Sequence, residues 1–401
     1  MSKKSTPTAT LLQAAPAPRP WPVTTVFTLL LLAISGGSWW TMRAEPGAAG
    51  VFDTHLAEVQ ARVFPNGTRL KSEWTGNGVA DWLLTELAAA FIGGAAGWDH
   101  GVRLQQSYLL VHFAAVVGLL GTEACRVTTR VNSQNSTSMW AIVYQLVGGA
   151  VICPLYFIAY IWASAGKSYF AEGREIPLSY AKALLPALLL GYLVPTIAMY
   201  IPFSDILMTQ YMIVVWQFAP VYVNVILFLS SAISPTPSAR TAGAAAAAAA
   251  SSELPRDIQP LKRLYSALFL VSVLYHAGTT ITLLLLNNNP QQQQLSFDYV
   301  FVASWERRAL NSVQALHWVF QWDLYGIFGS SLLWCLLEIY DLRRLLGADE
   351  VVGLLSALVF VVLGTGVLGP GAVVAAVLYW REEKLALLET RLQMAGRMKV
   401  A

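Results

Sequence analysis

The chain has 401 residues, 56% of them hydrophobic and 12% charged, with a net charge of +3. Soluble domains carry about 25% charged residues, so the two or three soluble domains that this length allows are excluded. The small net charge, without a dense basic cluster, gives no footprint for a nucleic-acid partner.

Residues 1–21 are polar and Pro-rich, with Lys3, Lys4 and Arg19, and read as a disordered N-terminal tail. Nine stretches then approach the length of about 20 apolar residues needed to cross a bilayer. They are 22–41, 80–98, 105–123, 139–163, 181–201, 207–232, 263–286, 314–339 and 352–380. Lipid offers a backbone no hydrogen-bond partner, so each is expected to be helical. Ser35-Gly36-Gly37-Ser38 gives the first the look of a cleavable signal, but its length and the closing Trp39-Trp40 mark a retained span. Six spans fill 22–232. Residues 233–262, with Pro235, Pro237, an alanine run from Ala244 to Ala250 and Pro255, read as a flexible loop. Spans seven to nine fill 263–380, and Gly369-Pro370-Gly371 predicts a kink or break in the last. Residues 381–401 read as an amphipathic C-terminal tail.

The expected fold is therefore all-α, a polytopic transmembrane bundle of about nine helices in contact with membrane lipid. No repeat of the solenoid or inverted-transporter kind is visible. With the N-terminus in the cytosol, Lys and Arg show a mild positive-inside bias once the C-terminal tail is set aside. Asn66-Gly67-Thr68 and Asn135-Ser136-Thr137 are glycosylation signals on the lumenal face of this topology. The sequence carries no sign of oligomeric state.

Ionisable residues at membrane depth are costly, so each is a functional candidate. Asp81 and Glu86 lie early in the second stretch, and Asp99 and His100 lie at its turn into the third. Glu123 and Arg126 end the third, Asp323 lies in the eighth, and Glu338, Asp341, Arg343 and Arg344 end it. Asp99 and Glu123 are 24 positions apart (123 minus 99), about 36 Å of helix, so they belong to opposite faces. Nine crossings put Asp81, Glu86, Glu123, Arg126 and Asp323 on the lumenal face. Asp99, Glu338, Asp341, Arg343 and Arg344 then share the cytosolic face. The candidate catalytic residues are Glu123, Asp323, Glu86, Asp99 and Arg126, and the lumenal pair Glu123 and Asp323 is preferred.

Plain structural readings stand beside these. Glu123 and Arg126, three apart, also fit an interfacial ion pair. Asp99-His100-Gly101 also fits a turn, and Asp323 a membrane-entry residue. His112 and His276 are proton relays or simply buried histidines bonded to backbone. Cys125, Cys153 and Cys335 are odd in number and unpaired in spacing, which argues against a disulfide framework or zinc. No histidines have metal-ligand spacing on one helix, and no phosphate loop or Asp-Asp-x-x-Asp is present, so neither metal nor cofactor is expected. Of the 14 Trp, 16 Tyr and 16 Phe, most serve as interfacial belt and packing, and a minority can turn a π face toward a cation.

Several of these residues fall into an ordered series. It runs Phe91, Gly97-Trp98-Asp99-His100-Gly101, Leu109, His112-Phe113 and Glu123-Ala124-Cys125-Arg126. Tyr144-Gln145-Leu146-Val147-Gly148-Gly149-Ala150, Pro154-Leu155-Tyr156-Phe157, Leu184-Leu185-Pro186-Ala187, Gly191-Tyr192 and Trp216-Gln217 follow. Phe320-Gln321-Trp322-Asp323, Gly369-Pro370-Gly371-Ala372 and Trp380-Arg381-Glu382-Glu383 complete it. From about residue 80 to 390 the series resembles the fungal integral membrane terpene cyclases of ascochlorin and ascofuranone type. One departure is Asp99-His100-Gly101, where those proteins have Asp-Gly; His100 either perturbs the turn or partners Asp99.

The resemblance implies an enzyme of fungal secondary metabolism, multi-pass in the endoplasmic reticulum. It would cyclise the prenyl chain, often epoxidised beforehand, of a lipophilic meroterpenoid. The residues suit that chemistry. A carboxylic acid in an apolar site can protonate an epoxide, and the resulting carbocation needs a water-poor cavity with aromatic faces. Arg126 would orient Glu123. The alternative is a non-catalytic transporter of the same pathway, whose marks are repeats or discontinuous helices at mid-depth.

Overall fold

The computed structural model describes residues 18–126, 137–166, 169, 174–233, 255–286 and 294–398. Most of the expected N-terminal tail and Ala/Pro-rich loop, and Asn135, lie outside the described residues.

The chain starts α1 (Trp21–Trp39) with Pro22 in its first turn, where no donor is needed. This helix continues through a π-helical turn, Trp40–Ala44, into Glu45–Ala48. α2 (Asp53–Ala61) is short. α3 (Gly78–Ala95) is capped by the Asn77 side chain, which accepts the Val79 and Ala80 N–H groups at 3.1 Å. α4 (His100–Cys125) is capped by Asp99, which accepts the Val102 N–H at 2.9 Å. α5 (Thr137–Val147), α6 (Gly149–Ser164) and α7 (Leu178–Met199) follow, α7 with a π turn at Leu189–Leu193. Next come α8 (Ile206–Gln217), α9 (Ala219–Ile233) and α10 (Ile258–Leu286). α11 (Ser312–Leu346), capped by Asn311, is the longest, and α12 (Leu354–Leu368) and α13 (Pro370–Met398) end the chain.

α4 is the axis of the bundle and is buried along nearly its whole length. Its two termini name the two ends of the molecule. α11 runs parallel to it. Near its start, Gln314 bonds Asp99 at 3.0 Å, and near its finish Glu338 shares Arg381 with Glu123. α1 runs the opposite way, with Arg19 bonded to Asp341 and Glu45 to Arg308. α7 descends to the Asp99 end, where the Tyr200 carbonyl accepts from Arg103.

Five helices are long and apolar enough to cross a membrane, or six if α8 and α9, bent by 54° at their break, count as one span. Among the described residues the nine expected crossings are therefore not confirmed. α3, one of the five, has both ends tied to the Asp99 end: its Gly93 approaches Val313, and Trp74 ahead of it packs on Tyr211 near the start of α8.

The fourth and ninth apolar stretches are not single crossings either. Each folds back on itself. At Gly148 the backbone takes φ +116°, a conformation open to glycine alone. Trp140 then packs edge-on against Tyr156, with ring centroids 5.5 Å apart. The pairing converges on Gly148, so α5 and α6 form a hairpin that enters and leaves at the Glu123 end. Gly369, at φ +91°, does the same for α12 and α13, with Gly364 against Val373 and Glu350 against Arg391. The two tips also share a short pattern, Gly149-Ala150-Val151-Ile152 and Gly371-Ala372-Val373-Val374. It is too brief to register as a repeat in the sequence.

Arg381 and Glu382, which the sequence places in a tail, are buried within α13.

Candidate active site

Each hairpin tip begins a helix, and the first N–H groups of a helix have no partner inside it. At the first tip the partner is Asp323. Its Oδ1 accepts the Ala150 N–H at 2.7 Å, and the Gly149 N–H is directed at the same carboxyl group. A Cβ on Gly149 would come within 2.5 Å of Ile327 Cδ1 and one on Gly148 within 3.1 Å of Met42 Cε, so the glycines let the tip pack closely against α11 and α1. At the second tip the Gly371 N–H donates to His112 Nδ1 at 3.2 Å. His276 lies beside it, bonded to Tyr108 at 2.8 Å and facing the Gly366 carbonyl at 3.2 Å.

Asp323 is half-buried and bonds no other side chain among the described residues. It lines an apolar cavity of about 120 Å³. α11 supplies Leu316, Val319, Phe320, Asp323 and Ile327, spaced to fall on one helical face. α4 adds Leu109, Leu110 and Phe113; α3 adds Leu87, Ala90 and Phe91; α8 adds Trp216. Tyr144, Gln145, Gly148 and Gly149 close it from the hairpin, and Met42 and Arg43 from the π turn of α1. The aromatic walls are fixed by contact with one another. Phe91 lies 4.9 Å from Phe320 and 5.2 Å from Trp216, and Phe113 lies 5.3 Å from Tyr144. The Trp216 indole N–H is held by Thr196 at 2.9 Å. The result is a carboxyl group and a guanidinium in a chamber with aromatic faces.

Glu123 and Arg126 are elsewhere. Glu123 shares an end with Glu338 and Asp341, about 22 Å of helix (15 residues) from Asp323 along α11. The expected division of the carboxylates is corrected accordingly: Glu123 is not on one face with Asp323, Asp81 and Glu86. The miscount of crossings is the cause: α3, ahead of Glu123, keeps both its ends at the Asp99 end, and the α5–α6 hairpin, between Glu123 and Asp323, returns the chain to the face it left.

Glu123 is fully buried, and its Oε1 accepts from Arg126 and Arg381, each at 2.8 Å, while Oε2 accepts from Tyr169 at 3.2 Å. Arg126 also holds the Arg174 carbonyl and Glu382, and Arg381 holds Glu338 and Tyr160. Arg174 extends the cluster to Asp257 and Glu389, each at 2.9 Å. Burial alone lowers the Arg174 guanidinium, but Asp257, Glu382 and Glu389 raise it above its ordinary value. Burial beside Glu123 pushes the Tyr169 phenol up, so it stays a donor. The i, i+3 pair foreseen in the sequence is real, as one link in a clasp joining α4, α11 and α13.

The other candidates also have partners. Glu86 faces His55 at 3.2 Å. Asp99 holds Tyr299 and Gln314 as well as its own helix, whereas His100 is exposed. Burial, aided by Asp99, pushes the Tyr299 phenol up. Asp99 lines a second cavity of about 470 Å³ with Glu58, Trp98 and Arg307. Asp81 accepts from the backbone of Trp74, Thr75 and Gly76 and staples a loop. Among the described residues no group of His, Cys, Asp or Glu is arranged to hold a metal ion. Cys125, Cys153 and Cys335 are buried.

Sequence reasoning missed Arg43, Tyr144 and Arg381. A signal for the first was present: a lone arginine just after the Trp39-Trp40 belt.

The chain is similar to three fungal proteins. It is 27% identical over 283 residues to terpene cyclase ctvD of Aspergillus terreus, covering 67% of this chain and 74% of that protein. It is 26% identical over 277 residues to FAD-dependent monooxygenase verC1 of Penicillium polonicum, covering 68% of this chain but 31% of that one. Terpene cyclase ascI of Acremonium egyptiacum is 24% identical over 210 residues, about half of each chain. No solved structure matches. Residues 25–386 match the CtvD domain family, and with that span taking in most of its length the chain belongs to this family.

Proposed function

We infer that the protein is a membrane-bound terpene cyclase of a fungal meroterpenoid pathway, and that Asp323 is its general acid. The observation that carries the assignment is the carboxyl group at the wall of an aromatic-lined chamber, without a cation bonded to it. Glu123, by contrast, has both oxygens engaged by donors from three side chains. The names of two relatives, ctvD and ascI, supply the reaction class. A third is named a monooxygenase, the class of enzyme able to supply an epoxide.

In this mechanism Ala150 holds Oδ1, and the acid form carries its proton on the other oxygen. That proton passes to the epoxide oxygen as the C–O bond breaks. The chain's double bonds close rings on the carbocation so formed, and phenyl and indole faces stabilise the positive charge. The last cation loses a proton to the Asp323 carboxylate, which regenerates the acid. One proton is taken and one returned, so product and substrate are isomers. The hairpin tip and the aromatic walls exclude the water that would quench the cation.

The test is expression of the full chain in microsomes supplied with a farnesylated phenol bearing a terminal epoxide. A cyclic product of unchanged mass is expected. Unchanged substrate across a panel of prenyl lengths would overturn the assignment.

One observation favours transport instead, since two hairpin tips end inside the bundle, one at Asp323 and one at His112, as broken helices do in many carriers. Vesicles that accumulate the same compounds unaltered would support that reading.

We place the protein in the endoplasmic reticulum with the Asp99 end lumenal, which puts the exposed Asn66 loop within reach of glycosylation. A mobility shift on endoglycosidase treatment, abolished by Asn66→Gln, is the expected sign.

A further inference from the structure

We propose that Arg43 is the subsite for an acidic head group, so that the substrate of the cyclase chamber carries a carboxylate or similarly acidic group on the ring bearing its prenyl chain. This rests on the cyclase assignment above.

The first observation, among the described residues, is a cation with no bonded partner, whose one carboxylate neighbour in the chamber, Asp323, acts on it through space only. The buried arginines Arg19, Arg126, Arg174, Arg308 and Arg381 each pair with a carboxylate of the chain. Arg43 is half-buried, lines the cavity, and has neither a hydrogen bond nor a carboxylate in ion-pair reach among the described residues. Its five N–H donors lie in a rigid planar fork that matches a carboxylate with two parallel bonds.

The second observation is the backbone. Arg43 sits in the π-helical turn Trp40–Ala44 that interrupts α1. A π turn adds a residue to the helical circuit and redirects the side chains it carries. Such turns are rare and cluster at functional sites. Here the turn brings Met42 and Arg43 to the same chamber as Asp323.

The third argument is chemical. A bare guanidinium in a chamber where a carbocation develops opposes that charge. An anionic head group seated on Arg43 cancels it, and holds the far end of the substrate while the prenyl chain folds toward Asp323. A neutral head group does neither. The competing source of the same anionic chemistry is a phospholipid phosphate, because Trp39 and Trp40 beside Arg43 are exposed at the level of an interfacial belt.

The experiment compares a farnesyl-substituted dihydroxybenzoic acid with its methyl ester, using purified full-length protein in nanodiscs of one lipid composition. Binding of the epoxide-free pair is measured by tryptophan quenching, and turnover of the epoxidised pair by product formation. The wild type is expected to favour the acid about tenfold or more, the range of a charge-assisted bond. Arg43→Gln should lose that preference by weakening the acid alone, and Arg43→Lys should keep part of it. Equal binding of acid and ester by the wild type would overturn the proposal. So would an equal loss on both in Arg43→Gln, the result expected of a lipid-phosphate contact. Binding preference without cyclisation of any epoxide would leave the Arg43 subsite standing and refute the cyclase assignment.

Discussion

Arg381→Met separates the clasp from the chemistry. Arg381 is fully buried; it donates at 2.8 Å to Glu123 and to Tyr160, also bonds Glu338, and lies over the Trp334 ring at 5.4 Å. Methionine keeps the stem and the ring contact but removes every donor. Glu123 retains Arg126 and Tyr169, whereas Glu338 loses the one cation that it bonds among the described residues. A buried charge stripped of its partner costs about 3–5 kcal/mol. At about 2–4 °C per kcal/mol for a large domain, that is a fall of roughly 6–20 °C in the temperature at which the detergent-solubilised protein loses its monodisperse peak. Adding Glu338→Leu removes the stranded carboxylate, so the double variant should recover much of the loss. Heating series on the wild type, the single and the double variant measure this. A single variant within about 2 °C of wild type, or a double variant worse than the single, would refute the reasoning.

Glu123→Gln should likewise lower thermal resistance but leave turnover per folded molecule within a few-fold of wild type, as read by product formation normalised to the monodisperse peak. Gly148→Ala forces a β-carbon onto φ +116° and against Met42 at 3.1 Å. The strain of about 1–3 kcal/mol should shift the hairpin tip off Asp323 and depress turnover more than stability. Gly326→Ala drives a β-carbon to within 2.4 Å of the Ala150 β-carbon where α11 crosses α6, for a loss of about 1–3 kcal/mol. Gly329→Ala, one turn on, meets nothing within 4 Å and should be neutral or stabilising by up to about 1 kcal/mol in the same heating assay.

The all-helical membrane fold was legible because apolar runs of span length admit no other backbone in lipid. Their direction was not. Gly148-Gly149 sits inside a run of 25 apolar-to-neutral positions (139–163), and nothing in composition separates a crossing from a hairpin of the same length. At Gly369-Pro370 the proline did announce a break, though not a reversal. One reversal, the α5–α6 hairpin between them in the chain, was enough to invert the predicted side of Glu123 relative to Glu338 and Asp341. Asp323 was legible as an intramembrane carboxylate. Its role as the partner of a helix start 173 residues away was not, because that contact exists only in three dimensions. Arg381 was hidden for the opposite reason. A charged stretch after the last apolar run reads as solvated, and only the facing carboxylates of α4 and α11 reveal that it is core.

The central claim is that Asp323 delivers the proton. Asn keeps a carbonyl oxygen to accept the Ala150 N–H, so Asp323→Asn preserves the hairpin contact while removing the transferable proton. The direct measurement is the rate of cyclic isomer formation from the epoxidised substrate by Asp323→Asn, at equal amounts of monodisperse protein. A fall of about 10²–10⁴-fold, the range for loss of a general acid, is predicted. Turnover within a few-fold of wild type by a folded Asp323→Asn protein would contradict the account.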